Sequence, residues 1–80
     1  MKMRVMDYTL DVYQVGVYTD LSQLSKAVAD YVAQSDGECT ELVAEQWDPI
    51  HSVWLSYSPA VTQAQERIAE IFDIYRRLKR

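Results

Sequence analysis

From Ser58 onward the chain places Val61, Ala64, Ile68, Ile71, Phe72, Tyr75 and Leu78 on one stripe at helical spacing. Ser58 offers a side-chain oxygen to cap the first turn, and Pro59 suits the first helical position, where no backbone N–H is required. Asp73 stands one turn ahead of Arg76 and Arg77, and the closing basic residues complement the helix dipole. A helix that long, apolar on one side only, must lay that side on another layer. The remainder of the chain has to supply it.

A second helix is predicted over about 21–34. Asp20 followed by Gln23 makes a capping-box-like start, Leu21, Leu24, Val28, Tyr31 and Val32 share one face, and Gly37 in Ser35-Asp36-Gly37 supplies a left-handed stop. The segment Asp7 to Tyr18 is rich in β-branched and aromatic residues and alternates in polarity, as a strand does. Its alternation has a fault: Leu10 and Val12 are in one phase, Tyr13, Val15 and Val17 in the other. One long strand with a bulge near Val12 is preferred to two short strands, because no Asn-Gly-like turn divides the segment. Cys39 to Trp47 and Ser52 to Tyr57 read as a hairpin around Asp48-Pro49-Ile50-His51, with Asp first and Pro second as in a type I turn. The prediction is one α+β domain over 1–80. It has a three-stranded, largely antiparallel sheet with two helices on one face, in the order β-α-β-β-α.

Eighty residues bury only about 60% of the surface of the unfolded chain, enough for one core and not for a deep cleft between lobes. No apolar run approaches the roughly 18 residues of a membrane span, and Met1-Lys2-Met3-Arg4-Val5 lacks the apolar stretch of a signal peptide. A cytoplasmic protein without membrane contact is expected. Cys39 is the single cysteine, so no intramolecular disulfide can form. The net charge of −4 is unevenly spread. Lys2, Arg4, Arg76, Arg77, Lys79 and Arg80 give the ends a charge of +6, whereas the stretch between Val5 and Tyr75 holds all twelve acidic residues against Lys26 and Arg67, a charge of −10. Such a body repels nucleic acid, and direct nucleic-acid binding is not expected.

A turn centred on Pro49-Ile50 would pair Gln46 with Val53, Ala44 with Leu55 and Leu42 with Tyr57 on the helix-covered face. Glu41, Val43, Glu45, Trp47 and Trp54 then fall on the other face, with Ser52 and Ser56 between them and no helix left to cover it. Tryptophan is enriched at the centres of protein interfaces, so these five residues are the candidate protein-binding surface. Two alternatives stand beside this. A one-residue slip would bury both tryptophans, and an N-terminal strand bent across the face would cover them.

Catalysis finds little support. Cys39 and His51 are alone of their kinds and twelve residues apart at opposite ends of the hairpin. Glu66 and Glu70 lie one turn apart with no histidine nearby, and Gly16 and Gly37 are isolated rather than part of a phosphate loop. No enzyme activity, metal or cofactor is expected. Self-association is a rival use of the last helix, in which Ile74 lies off the main stripe and, with Leu78, is the candidate dimer contact.

The strand, helix, hairpin and final helix with Glu66-Arg67-Ile68-Ala69-Glu70-Ile71 resemble the layout of the DNA-damage-inducible modulators of the RecA recombinase. That family has an acidic last helix, whereas this chain closes on Arg76-Arg77-Leu78-Lys79-Arg80. The segment from Tyr18 through Tyr57 is similar to small phage proteins of strand, helix and hairpin type, a group that includes inhibitors of bacterial CRISPR defence. Together these imply a non-catalytic inhibitor or modulator that binds a bacterial protein. The alternatives are an acidic mimic of nucleic acid acting on a DNA-processing protein, and a structural homodimer.

Overall fold

The computed structural model describes residues 1–79. Its elements are β1 (Met3–Asp7), β2 (Tyr13–Tyr18), α1 (Leu21–Gln34), β3 (Leu42–Asp48), β4 (Val53–Leu55) and α2 (Pro59–Leu78). The fold is α+β, with every strand pair antiparallel in a four-stranded sheet ordered β2-β1-β3-β4.

The sheet therefore has one strand more than predicted, and the chain order is β-β-α-β-β-α. The additional strand is β1, whose Met-Arg-Val-Met-Asp pattern is too short to stand out ahead of the β-branched run that follows it. The single bulged strand drawn through Asp7 to Tyr18 covers only the last residue of β1, a connection and β2: β1 ends at Asp7, and Leu10 and Val12 lie in the connection, 94% and 70% exposed. An irregularity does exist, but it lies inside β2. Val5 faces Gly16 and Met6 faces Gln14, which leaves Val15 as the extra residue.

Both helices cover one face. Met3 and Val5 of β1 and Leu42 and Ala44 of β3 point into a core completed by Leu24, Val28 and Val32 of α1, Cys39, and Val61, Ala64 and Ile68 of α2. The apolar stripes predicted for the two helices are thus the ones buried, except at the far end of α2, where Leu78 is 80% exposed. A helix of 20 residues is about 30 Å long, and its final turns set Ile74, Tyr75 and Leu78 along α1.

Helix boundaries follow local chemistry. Asp20 accepts the Gln23 amide at 2.8 Å, while the Gln23 side chain reaches back to the amide and hydroxyl of Thr19, a capping box displaced by one residue. Ser58 accepts the Val61 amide at 3.0 Å, with Pro59 in the first turn. At the end of α1 the Asp36 amide bonds Ala33 and the Gly37 amide bonds Val32, the paired bonds of a Schellman motif. Asp36 takes the first left-handed position (φ 55°) and Gly37 the next (φ 75°), one residue later than a glycine stop implies. Asp36 then anchors the end of α1 to α2: its Oδ1 accepts the Tyr75 hydroxyl at 2.6 Å and meets Lys79 Nζ at 2.5 Å.

The hairpin register also differs from the predicted one. Asp48 faces Val53, Trp47 faces Trp54 and Gln46 faces Leu55, so the loop holds four residues, Pro49 to Ser52, and the strands are shorter than the predicted 39–47 and 52–57. Asp48 accepts the Ile50 amide at 3.0 Å and lies 2.7 Å from His51 Nδ1, and Ser52 closes the loop in the left-handed region (φ 53°). The displacement amounts to two residues. Because side chains alternate with period two, the predicted faces are unchanged.

Gly37 combines positive φ with a close neighbour, since an added Cβ would stand 3.0 Å from Tyr75 Cε2. Gly37→Ala is expected to lower unfolding free energy by about 1–2 kcal/mol in urea denaturation, through backbone strain and a displaced Tyr75 ring.

Candidate functional site

The helix-free face of the sheet collects most of the residues singled out above. The Trp47 amide donates to the Lys2 carbonyl at 2.8 Å, so the backbone of Trp47 is committed to the β1 side. Toward β4 it is consequently a non-hydrogen-bonded position, the kind of antiparallel pair in which opposed side chains lie closest. Trp47 and Trp54 occupy it with ring centroids 5.2 Å apart and planes tilted by 59°. Both are half-buried, as is Val43, while Glu41 is exposed.

Glu45 behaves differently from expectation. It is only 9% exposed and its Oε1 accepts from Arg4 Nε at 2.7 Å, so this carboxylate is neutralised within the face and is not displayed to a partner. The Arg4 guanidinium carbon lies 4.3 Å from the Trp54 ring centroid, and Lys2 Nζ lies 5.7 Å from Trp47 and 5.9 Å from Trp54. Each such cation over an indole contributes about 0.5–2 kcal/mol, more where water is excluded. The site is therefore a Trp pair capped by two cations, with Glu45 beneath Arg4 and Glu41 at one end. The N-terminal strand lies beside β3 rather than across the tryptophans, and only its Lys2 and Arg4 side chains reach over them.

By sequence position Lys2 and Arg4 belong with the basic ends of the chain, and the fold brings them to this surface. Their signal was present in the alternation of Lys2 and Arg4 with Met3 and Val5, which places the charged pair opposite the core pair once the segment is read as a strand.

A second polar cluster ties the sheet to α1. Asp7, 8% exposed, accepts from the Thr9 hydroxyl at 2.6 Å, the Thr9 amide at 2.9 Å and the Tyr31 hydroxyl at 2.6 Å. Thr9 Oγ1 in turn accepts the amides of Thr40 and Glu41, and Tyr13 stacks on Tyr31 with centroids 6.0 Å apart. Burial presses the Asp7 carboxyl upward, but the hydrogen bonds from the Thr9 hydroxyl, Tyr31 and the Thr9 amide together outweigh it and hold the group below its ordinary range. The same bond to Asp7, reinforced by burial and the carboxylate charge, pushes Tyr31 up to about 12.

The other candidates are scattered. Cys39 is buried with Ser35 Oγ 3.1 Å from its sulfur, and His51 is exposed in the hairpin loop. Glu66 and Glu70 are exposed on α2, with Glu70 3.9 Å from Arg67. Among the described residues, no three of His, Cys, Asp and Glu gather in cation-binding geometry. The basic end of α2 is largely engaged at home, Arg77 with Asp73 at 2.8 Å and Lys79 with Asp36; Arg80 lies outside the described residues. Ile74 and Leu78, 54% and 80% exposed, line an apolar groove of about 260 Å³ against Ala29 and Ala33 of α1. No helix is long and apolar enough to cross a membrane among the described residues. Comparison with protein families, characterised proteins and solved structures finds no match to this chain.

Two outcomes follow from these environments. Glu45→Ala leaves the Arg4 guanidinium without its partner on a half-closed surface and is expected to cost about 1–2 kcal/mol in chemical denaturation, against less than about 0.5 kcal/mol for Glu41→Ala. Tyr31 holds its proton more tightly when folded, so it contributes stability that is full below 10.0 and is lost as pH rises toward about 12. An alkaline absorbance titration is expected to show a tyrosine component near 12 that moves down toward 10.0 in Asp7→Asn.

Proposed function

We propose that this chain is a non-catalytic protein-binding module, an inhibitor or modulator of a bacterial protein machine, whose partner docks on the helix-free face of the sheet. The observation that carries this reading is the opposed Trp47–Trp54 pair, half-buried on the face that neither helix covers. Large aromatic side chains held rigidly in a sheet lose little conformational entropy on binding, and Trp and Arg are the residue types most often found at binding hot spots. Here Arg4 is fixed between Trp54 and Glu45, so the contact surface is organised before a partner arrives.

The chemistry of the face also shapes the partner. Lys2 and Arg4 interrupt the acidic character of the body, so the surface offers apolar area with cations over it and suits a partner with an apolar patch rimmed by acidic or polar groups. Val43 extends the apolar area along β3, Glu41 supplies one displayed carboxylate, and Glu45 acts by holding Arg4.

The test is capture from a bacterial lysate on immobilised wild type and Trp54→Ala, followed by affinity measurement with the captured protein. Loss of about 2 kcal/mol, roughly 30-fold, on Trp54→Ala with little dependence on salt supports docking on this face. A partner released at about 0.5 M salt and indifferent to Trp54→Ala overturns it in favour of nucleic-acid mimicry by the acidic body.

A further inference from the structure

β4 is shorter than the strand it pairs with. It covers Gln46 to Asp48 of β3 and, among the described residues, leaves the edge of β3 at Leu42 to Ala44 without a strand neighbour. On the other side of β3 the odd-numbered residues bond to β1, through the Trp47 amide to Lys2 and the Tyr8 amide to the Glu41 carbonyl. Within β3 the even-numbered residues, Leu42 and Ala44 here, thus aim their backbone groups at the free edge. There a side chain stands in for a strand: Gln65 of α2 accepts the Ala44 amide at 3.0 Å through Oε1 and donates to the Leu42 carbonyl at 2.9 Å through Nε2.

A groove lies on each side of this bridge, between β3 and α2. One, of about 440 Å³, is walled by Ala44, Tyr57, Val61 and Glu66; the other, of about 290 Å³, by Thr40, Leu42, Phe72 and Arg76. Gln65 and Ala69 border both, so removing the Gln65 side chain would join them into one channel along the edge. We propose that this channel is a strand-addition site: an extended peptide displaces Gln65, pairs antiparallel with β3 over residues 42–44, and sets alternate apolar side chains into the two grooves.

The chemistry of the edge selects that occupant. The groups bridged by Gln65 are a backbone donor and a backbone acceptor two residues apart, which an extended main chain matches and a helix cannot. The three free residues of β3 span about 10 Å, and the grooves continue past them to Tyr57 on one side and Thr40 on the other, room for a peptide of five or six residues. Charge fixes its direction. Glu66 borders the end where an antiparallel peptide begins, and Arg76, stacked over Phe72 at 5.7 Å, borders the end where it finishes, so a basic N-terminal residue and a C-terminal carboxylate are complementary. The site is separate from the tryptophan face and does not depend on it.

The probe is an N-terminally labelled peptide Lys-Val-Thr-Val-Thr-Asp with a free carboxylate, followed by fluorescence polarisation on the full chain, with the same peptide N-methylated at alternate amides as control. Gln65→Ala is expected to tighten binding about fivefold by removing the internal competitor, and Arg76→Glu to weaken it about tenfold. Trp54→Ala leaves the affinity unchanged, so this site and the proposed face fail or stand independently. In amide NMR the Ala44 resonance and the Gln65 side-chain amide move together on titration. Gln65→Lys, which cannot accept from Ala44, gives the same gain should Gln65→Ala fold poorly. The proposal is overturned if the N-methylated peptide binds equally well, or if neither wild type nor the Gln65 variants bind at about 1 mM peptide. It is also overturned if the Gln65 variants pair with themselves and take up no peptide, which would make Gln65 a guard against self-association.

Discussion

β1 is hydrogen-bonded along both edges, to β2 and to β3, and the rest of the architecture is arranged around it. Its alternation sends Met3 and Val5 into the core beneath the helices and Lys2 and Arg4 onto the opposite face. One five-residue strand and the Lys2 before it therefore contribute to both the packed side of the sheet and the chemistry of its open side. Two fully shielded core residues and an ion pair with Glu45 hang on its register with β3. A one-residue slip would exchange Arg4 for Val5 against the core, an unpaired charge that a domain of this size could not accommodate.

Beyond the apolar core, the layers are also fixed by polar side chains that cross between them. Asp7 joins β1 to Tyr31 of α1, Asp36 joins the end of α1 to Tyr75 and Lys79 of α2, and Gln65 joins α2 to the backbone of β3. Hydrophobic burial drives the helices onto the sheet without choosing their orientation closely, whereas hydrogen bonds at fixed geometry do choose. Of the three, the Gln65 bridge occupies groups that a strand would otherwise fill, which is why it marks a place where the fold can exchange an internal partner for an external one.

The elements legible from the sequence were those whose signals are local. Both helices carried caps and apolar stripes, and α1 and α2 occupy the predicted stretches. The face bearing Trp47 and Trp54 was legible as well, because alternation along a strand survives an error of two residues in the hairpin register. β1 was hidden because its alternation over Met3 to Val5 is short and is broken at Met6 and Asp7, ahead of a stronger signal, and the break between β1 and β2 was hidden because Leu10 and Val12 look like strand residues although they lie exposed in a connection. Strand alternation places Glu45 on the open face as a displayed carboxylate, and nothing in its own neighbourhood of sequence announces Arg4, forty-one residues away.

By itself the sequence determined an α+β class with two one-sided helices, a hairpin carrying its tryptophans on one face, and a charge imbalance between body and ends. Those properties depend on caps, periodicity and composition, which act within a few residues along the chain. Only the tertiary structure decided that the N-terminal cations lie over the tryptophans, that Glu45 is spent on Arg4, and that Gln65 closes the free edge of β3. These are contacts between segments twenty or more residues apart, set by which strands become neighbours, and strand adjacency is a property of the whole packing that no local pattern encodes.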